Sequence, residues 1–320
     1  MTQATVIADS KNEFGQRITT FIITFPRYLL AEFNTHRMLS RNSASSRAIR
    51  FEKMVQSVME NPFIPSRWQK DHPGMQGVEY FDEIDSKEFV RMWLSARDSA
   101  VGHAQILNHQ KVTKQIANRL LEPFMYHTCL VTGTEWENFF ALRAHEAAEI
   151  HFQDLAEKML VAINESTPKQ LKAGEWHIPF ADDLVNIAED AVRSTAYESM
   201  DKDDKLFEEF MIKIATVRCA RISYVTPGST SKMDYKADLE LHDRLFSSGH
   251  WSAFEHCARA MNEEEYEYNT MHNHITDAHV NCSTQSLAQA QGWCGNFKGF
   301  IQYRKMFVSE NRSDSRLIKK

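Results

Sequence analysis

The 320-residue sequence has no uninterrupted apolar run long enough to span a bilayer. Its start, "MTQATVIADSKNEFGQR", has neither the basic flank nor the apolar block of a signal peptide. No membrane partner is therefore expected, and the expected location is cytoplasmic. Cysteine is scarce and odd in number: Cys129, Cys219, Cys257, Cys282 and Cys294 show no close pairing, so free thiols are expected rather than disulfides. There is no excess of positive charge. With a net charge of −6 the chain has no general attraction to nucleic acid, and any bound anion must be held by a local cluster of arginines. Fixed-period repeats and low-complexity tracts are also missing, which excludes a solenoid. What is present, 42% hydrophobic and 25% charged residues, is an ordinary globular balance for one large core or two modest ones.

The β-branched and aromatic run "ITTFIITF" at 18–25 predicts a strand closed by Pro26. In "RYLLAEFNTHRML" the apolar spacing predicts a helix with Tyr28, Leu29, Phe33 and Leu39 toward the core. That helix should fail in "SRNSASSR", where serines and asparagine compete for backbone hydrogen bonds and favour turns or caps. The segment 61–77, rich in proline, predicts a surface excursion. Helices are predicted over 86–121 and 134–163, the second either continuous or interrupted near 143–146. "TPKQLKAGEWHIPF" reads as an irregular connection, and "DDLVNIAEDAVRSTAYESM", "KLFEEFMIKIATVRCARISY" and "KADLELHDRLFSS" as further helices, with "RISYVT" turning extended. "GNFKGFIQYRKMF" fits either element type. The expected fold is one α/β domain of the α+β kind, with a central mixed or antiparallel sheet, long helices and long connections.

Five stretches carry candidate chemistry. "THRMLSRNSASSRAIR", residues 35–50, concentrates His36, Arg37, Ser40, Arg41, Asn42, Ser43, Ser45, Ser46, Arg47 and Arg50. Arginine forks and hydroxyls at a helix end match a phosphorylated small molecule, and they also match a solvated, capped helix end. Asn118 and Arg119 precede a proline-terminated segment and say little alone. "ENFFALRAHEAAEIH" places Asn138, Arg143, His145, Glu146, Glu149 and His151 beside an apolar helical framework; the strict His-Glu-x-x-His arrangement of a zinc site is missing. In "SSGHWSAFEH", residues 247–256, Gly249 should end a helix, and an alternating segment should aim His250, Ser252 and Glu255 away from Trp251 and Phe254. His272, His274, His279, Cys282 and Cys294 have ligand chemistry but fit no compact metal motif. No resident metal is expected.

Together these pieces resemble the flavin-dependent thymidylate synthases, the ThyX family. That family's Arg-His-Arg motif continues through a serine, an Asn-Glu pair, a serine and an arginine, matched here by His36, Arg37, Ser40, Asn42, Ser45 and Arg47 at the same spacing. "NRLLEPFMYHT" and "NFFALRAHEAAEI" resemble two downstream blocks, while "CARISY" and "LHDRLFSSGHWSAFEH" resemble the Ser-bearing segment and the Gly-His-x-(Ser/Thr)-x-Phe-Glu-His element. In the family that last element precedes Arg-His-Arg; here it follows it, which implies a circularly permuted relative whose two motif segments converge on one cleft, with the strand at 18–25 in the same sheet as the segment around Phe254. The single domain of 1–320 would then comprise a nucleotide-binding half at 1–160, a bridge at 161–205, and the Gly-His half plus extension at 206–320.

The resemblance implies a flavoenzyme using FAD, NADPH and methylenetetrahydrofolate to convert dUMP to dTMP, assembled as a homo-oligomer of tetramer type. It implies that His36, Arg37, Asn42, Asn138, Ser223, His250, Ser252 and Glu255 contact FAD. Ser45, Arg47, Arg119, Arg143 and Glu149 would hold the nucleotide, with Arg143 and Ser45 catalytic. Three positions depart from the pattern: Thr35 replaces the first arginine, Ser43 the glutamate after Asn42, and Glu149 the glutamine of an Ala-Gln element. Glutamate for glutamine removes donors and adds an acceptor, which would favour a base with an exocyclic amine. A flavoenzyme leaving a hydroxymethyl group at C5, and a non-catalytic nucleotide-binding or assembly protein, are the alternative readings.

Overall fold

A computed structural model describes residues 1–43, 45–47, 49–73, 77, 79–181, 205–223, 234–267, 296–307 and 310. The chain begins with β1 (Gln3–Asn12) and β2 (Arg17–Pro26), an antiparallel pair. A 3-10 turn and the short α1 (Leu30–Phe33) lead into β3 (Ser40–Ser43) and α2 (Phe51–Glu60). After α3 (Glu83–His109) and α4 (Lys114–Ala117), β4 (Tyr126–Gly133) returns to the sheet. Then follow α5 (Glu137–Arg143), α6 (Ile150–Glu165), β5 (Lys169–Leu171) and β6 (Trp176–His177). The described C-terminal elements are α7 (Lys205–Ala220), α8 (Tyr235–Ser248), β7 (Ala258–Ala260) and β8 (Phe300–Gln302). Five strands form a mixed sheet in the order β3-β4-β2-β1-β5, and β6-β7-β8 form a second sheet. The expected mixed α/β architecture is present.

The apolar run at 17–26 is a strand buried on both faces, so its side chains divide by the two-residue period between two cores. Phe21, Ile23 and Phe25 share a cluster with Phe139 of α5 and Phe152, Leu155 and Met159 of α6. Ile22 and Leu130 share another with Ile212 and Cys219 of α7, Trp251 and Phe254. The second face also carries hydroxyls. Thr20 and Ser40 both lie opposite Thr132 in the strand register, giving a polar row across three strands. Thr20 Oγ1 and Thr132 Oγ1 are 2.7 Å apart. His177 of β6 reaches into the row, with Nε2 2.8 Å from Thr20 Oγ1 and Nδ1 2.9 Å from Ser10 Oγ. His256 Nδ1 is 2.8 Å from Thr132 Oγ1, and Gln302 Nε2 donates to Ser40 Oγ at 2.8 Å. All these side chains are buried, so the contacts join the two sheets in a setting where an unpaired polar group would cost about 1–3 kcal/mol.

Several local expectations are corrected. The helix expected over 27–39 shrinks to a 3-10 turn and one helical turn, with Leu29, Phe33 and Leu39 buried but Tyr28 41% exposed. Tyr28 instead donates its hydroxyl to Glu149 Oε1. Ser40–Ser43 is a strand, not a turn or helix end: the free edge of β4 supplies backbone partners that outweigh local turn preference. Strands β1 and β4 fall where no element was expected, and the irregular connection at 167–180 contains β5 and β6, which pair with β1 and β7. The segment around Phe254 was expected in the sheet of β2; it is a 3-10 turn leading to β7 of the second sheet, and it meets β2 through face packing. The break between α5 and α6 lies at 144–149, next to the position anticipated. The helix expected at 182–200 and most of "RISYVT" lie outside the described residues. Among the described residues no helix is long and apolar enough to cross a membrane.

Burial pushes His127, His177 and His256 down to about 3, so all three are neutral in the fold. An unfolded chain binds protons on them below about pH 6.5, so stability falls as pH drops from 6.5 toward 3, by up to about 1.4 kcal/mol per pH unit per histidine. Urea midpoints should be clearly lower at pH 4.5 than at pH 7; equal midpoints would contradict neutral burial. A second expectation concerns Gly299, at φ +72°, where an added Cβ would meet Asn12 Nδ2 at 2.5 Å while Asn12 donates to the Gly299 carbonyl at 2.9 Å. Gly299→Ala should destabilise the protein by about 1–3 kcal/mol in the same measurement.

Candidate functional site

Strand β3 sends its side chains to opposite faces of the sheet and so touches both halves of the chain. On one face, Arg41 Nη1 donates to the carbonyls of Phe33 at 3.2 Å and His36 at 2.9 Å, and Ser43 Oγ donates to Cys129 Sγ at 3.3 Å. On the other, Asn42 Nδ2 donates to the Cys219 carbonyl at the end of α7, and Asn42 Oδ1 accepts from Ser252 Oγ at 3.4 Å. Residues 42 and 252 are thus neighbours. Segments of the two distant motifs meet at this contact.

Ser252 is placed by the stop of α8. Gly249 adopts φ 71° and ψ 34°, the left-handed cap that lets the chain turn back without a Cβ penalty. A 3-10 turn at Trp251–Glu255 follows, burying Trp251, Ala253 and Phe254 and leaving His250 and Ser252 exposed. Glu255 is half-buried and pairs with Arg304. The facing expected for His250, Ser252 and Glu255 holds, on a 3-10 turn in place of a strand. Ser223 lies in the 3-10 turn Arg221–Ser223 that follows α7 and packs near β3 and β4.

His36 and Arg143 form a second group. Arg143 Nε donates to His36 Nε2 at 2.9 Å, its Nη1 pairs with Glu32, and its guanidinium stands 4.6 Å over the Phe152 ring. Burial, reinforced by the cations of Arg143 and Arg41, pushes His36 down to about 4. The imidazole is neutral, accepts at Nε2 and keeps its proton on Nδ1. Arg37 is exposed, and its carbonyl accepts from Asn296 Nδ2 at 3.1 Å. Thr35 turns inward on its own helix end, donating to the Glu32 carbonyl at 2.7 Å. Asn138 is exposed on α5.

The nucleotide candidates fall into two places. Arg47 is exposed and Ser45 half-buried, with Ser45 Oγ accepting from the Arg47 N–H at 3.3 Å. Ser46 donates to Glu122 Oε1, which also faces Arg27 and Arg119, each at 3.4 Å. Buried Asn118 secures this corner by donating to the Ser46 and Ile49 carbonyls at 2.8 and 3.1 Å. Glu122 was not anticipated; its signal is its place between Arg119 and Pro123. Glu149 lies elsewhere, as the N-cap of α6. Its Oε2 accepts from the N–H groups of His151 and Phe152, both at 2.9 Å, and its Oε1 from Tyr28 Oη at 2.8 Å and His151 Nδ1 at 2.7 Å. Burial works against this carboxylate's charge, but the bonds from His151 and Tyr28 outweigh it and hold Glu149 below the usual range.

Cys129, Cys219 and Cys257 are free, buried thiols, and burial pushes them to about 11, well above the ordinary range, and about 12 respectively. No group of three or more His, Cys, Asp or Glu suited to a metal occurs among the described residues. His272, His274, His279, Cys282 and Cys294 lie outside them.

Comparison with known proteins bears on this arrangement. No curated protein matches the sequence. Among solved structures, the UMP/dUMP methylase PolB from Streptomyces cacaoi bound with 5-Br UMP is similar at 16% identity and a TM-score of 0.44, over 52% of this chain and 89% of that one. The same methylase bound with 5-Br dUMP is similar at 20% identity and a TM-score of 0.41, over 47% and 67% of the two chains. The family model described as thymidylate synthase complementing protein matches residues 11–169, which contain β3, the His36–Arg143 pair and the Glu122 corner. Residues 11–169 belong to that family, the flavin-dependent thymidylate synthases.

Proposed function

We propose that this protein transfers a one-carbon unit from methylenetetrahydrofolate to C5 of dUMP, forming dTMP, with FAD as cofactor and NADPH as reductant. Family membership supports flavin-dependent C5 methylation of a pyrimidine nucleotide. The observation that carries the reading to this chain is the Asn42–Ser252 contact, which joins two motif segments, each with only part of a flavin site. The order of those segments is read as a circular permutation, with 1–160 and 206–320 as the two halves and 161–205 as the bridge. A cytoplasmic homotetramer is the form proposed.

The donor set fits FAD. Exposed Arg37 and His250 offer charge or hydrogen bonds to phosphate oxygens, Ser252 offers a hydroxyl, and neutral His36 offers Nδ1–H. Asn42, Asn138, Ser223 and Glu255 complete the proposed flavin contacts. Bound FAD would supply hydride-transfer chemistry for the one-carbon transfer, with NADPH as reductant. Ser45, Arg47 and Arg119 bind the nucleotide phosphate. Arg143, oriented by Glu32, His36 and Phe152, presents donors to the pyrimidine edge. A guanidinium matches the carbonyl edge of uracil, not an amine. Glu149 sits at the helix start where four donors of the chain already occupy it, so its role toward the nucleotide is to anchor Tyr28 and α6, and uracil is favoured over cytosine. The high thiol values of the described cysteines make each a poor nucleophile at neutral pH, in keeping with a route that uses no cysteine adduct.

The purified protein should release FAD on denaturation or take up added FAD, and should convert dUMP to dTMP when NADPH and methylenetetrahydrofolate are supplied, read by mass spectrometry. No flavin and no uptake would overturn the flavoenzyme reading and leave the non-catalytic binding protein. A product heavier than dTMP by one oxygen would assign the hydroxymethyl chemistry instead. Arg143→Ala and Arg47→Ala should each weaken dUMP binding by about 1.5–3 kcal/mol, the size of a charge-assisted hydrogen bond, while melting changes little. Calorimetric titration against melting curves decides this, and unchanged affinity would make both arginines structural.

A further inference from the structure

Residues 296–310 belong to none of the motif segments, yet their described part touches both halves of the proposed flavin site. Asn296 Nδ2 donates to the Arg37 carbonyl at 3.1 Å, and Gln302 Nε2 to Ser40 Oγ at 2.8 Å. On the other half, Tyr303 stacks on Phe254 with centroids 5.6 Å apart, and Phe307 on Trp251 at 5.7 Å. Between these contacts, Arg304 Nη1 donates to Glu255 Oε1, while Arg304 Nε donates to Glu310 Oε2 at 2.7 Å. Glu310 is held in turn by Lys305 Nζ at 2.6 Å.

We infer that Arg304 is a positioning residue that fixes the Glu255 carboxylate toward bound flavin, and that residues 296–307 together with Glu310 form the clamp holding the two motif segments in register. The inference rests on the flavin reading. The 3-10 turn bearing Glu255 is only five residues long and has no side-chain cap, so its own hydrogen bonds do little to fix the direction of a side chain on its half-exposed side. A guanidinium is a planar fork; held through Nε by one carboxylate, it offers Nη1 to the second in one direction only. Glu310 thereby sets Arg304, and Arg304 sets Glu255. Arg304 itself need not touch the flavin.

The test titrates FAD into wild-type protein, Arg304→Gln, Arg304→Lys, Glu255→Gln, Lys305→Met and the double variant Glu255→Gln/Arg304→Gln, following flavin fluorescence, with melting temperatures alongside. Arg304→Gln should bind FAD about tenfold more weakly, the size expected for one charge-assisted hydrogen bond, and Arg304→Lys should recover most of that loss. The double variant should be no weaker than Glu255→Gln alone, because both changes act through one carboxylate. Lys305→Met, which removes one of the two groups holding Glu310, should weaken FAD binding by less than Arg304→Gln does. FAD affinity of Arg304→Gln within twofold of wild type overturns the inference, as does a double variant whose losses add. If Arg304→Gln alone folds poorly, the double variant, which leaves Glu255 uncharged, and Arg304→Lys give the same comparison against Glu255→Gln. Wild-type protein that binds no FAD refutes the flavin reading itself and is recognised before any variant is compared.

Discussion

The buried polar seam between the two sheets is the constraint on which the rest depends. Ser10, Thr20, Thr132 and Ser40 lie on one face of the five-stranded sheet, and His177, His256 and Gln302 meet them from the other layer. Apolar packing alone is non-directional and would allow the layers to slide. A hydroxyl row that must be matched by ring nitrogens and an amide admits one register, because a slip leaves several buried groups unpaired at once. His256 Nε2 has no hydrogen-bond partner among the described residues, so the seam is held from the Nδ1 side of that ring.

This register determines where the proposed site can form. His256 ends the segment that carries His250, Ser252 and Glu255, and Ser40 begins the strand that carries Asn42. Once Thr132 holds His256 and Gln302 holds Ser40, Asn42 and Ser252 are brought within hydrogen-bonding reach. Neither segment positions the other through sequence proximity. A change in chain order is tolerable for such a site, since the contacts depend on the seam and not on which segment is made first.

Electrostatically the site region separates neutral from charged partners. Burial makes His36, His177 and His256 neutral, and the described cysteines remain thiols. Four arginines of the region have a carboxylate beside them: Arg143 has Glu32, Arg119 and Arg27 share Glu122, and Arg304 has Glu255 and Glu310. Paired in this way, the guanidiniums are oriented before any ligand arrives, which lowers the ordering cost of binding an anion.

The sequence by itself determined the residue inventory, the globular class, the central apolar strand read at 18–25, the helices read at 205–224 and 236–248, and the glycine stop at 249. These follow from local period, β-branching and cap chemistry, which act over a few residues. The motif residues were legible too, because their spacing is carried along one chain segment. Only the tertiary structure decided that Ser40–Ser43 is a strand, since its pairing partner lies at Cys129–Thr132, and that the Phe254 segment meets β2 by face and not by edge. It also decided the fate of Glu149: the spacing of "HEAAEIH" shows a carboxylate near histidines, whereas the fold supplies Tyr28 from 121 residues away and commits that carboxylate to a helix cap. The hydroxyls of Ser10, Thr20 and Thr132 looked unremarkable in the chain. Their importance arises because burial removes water as an alternative partner, a condition imposed by packing and not by sequence neighbours.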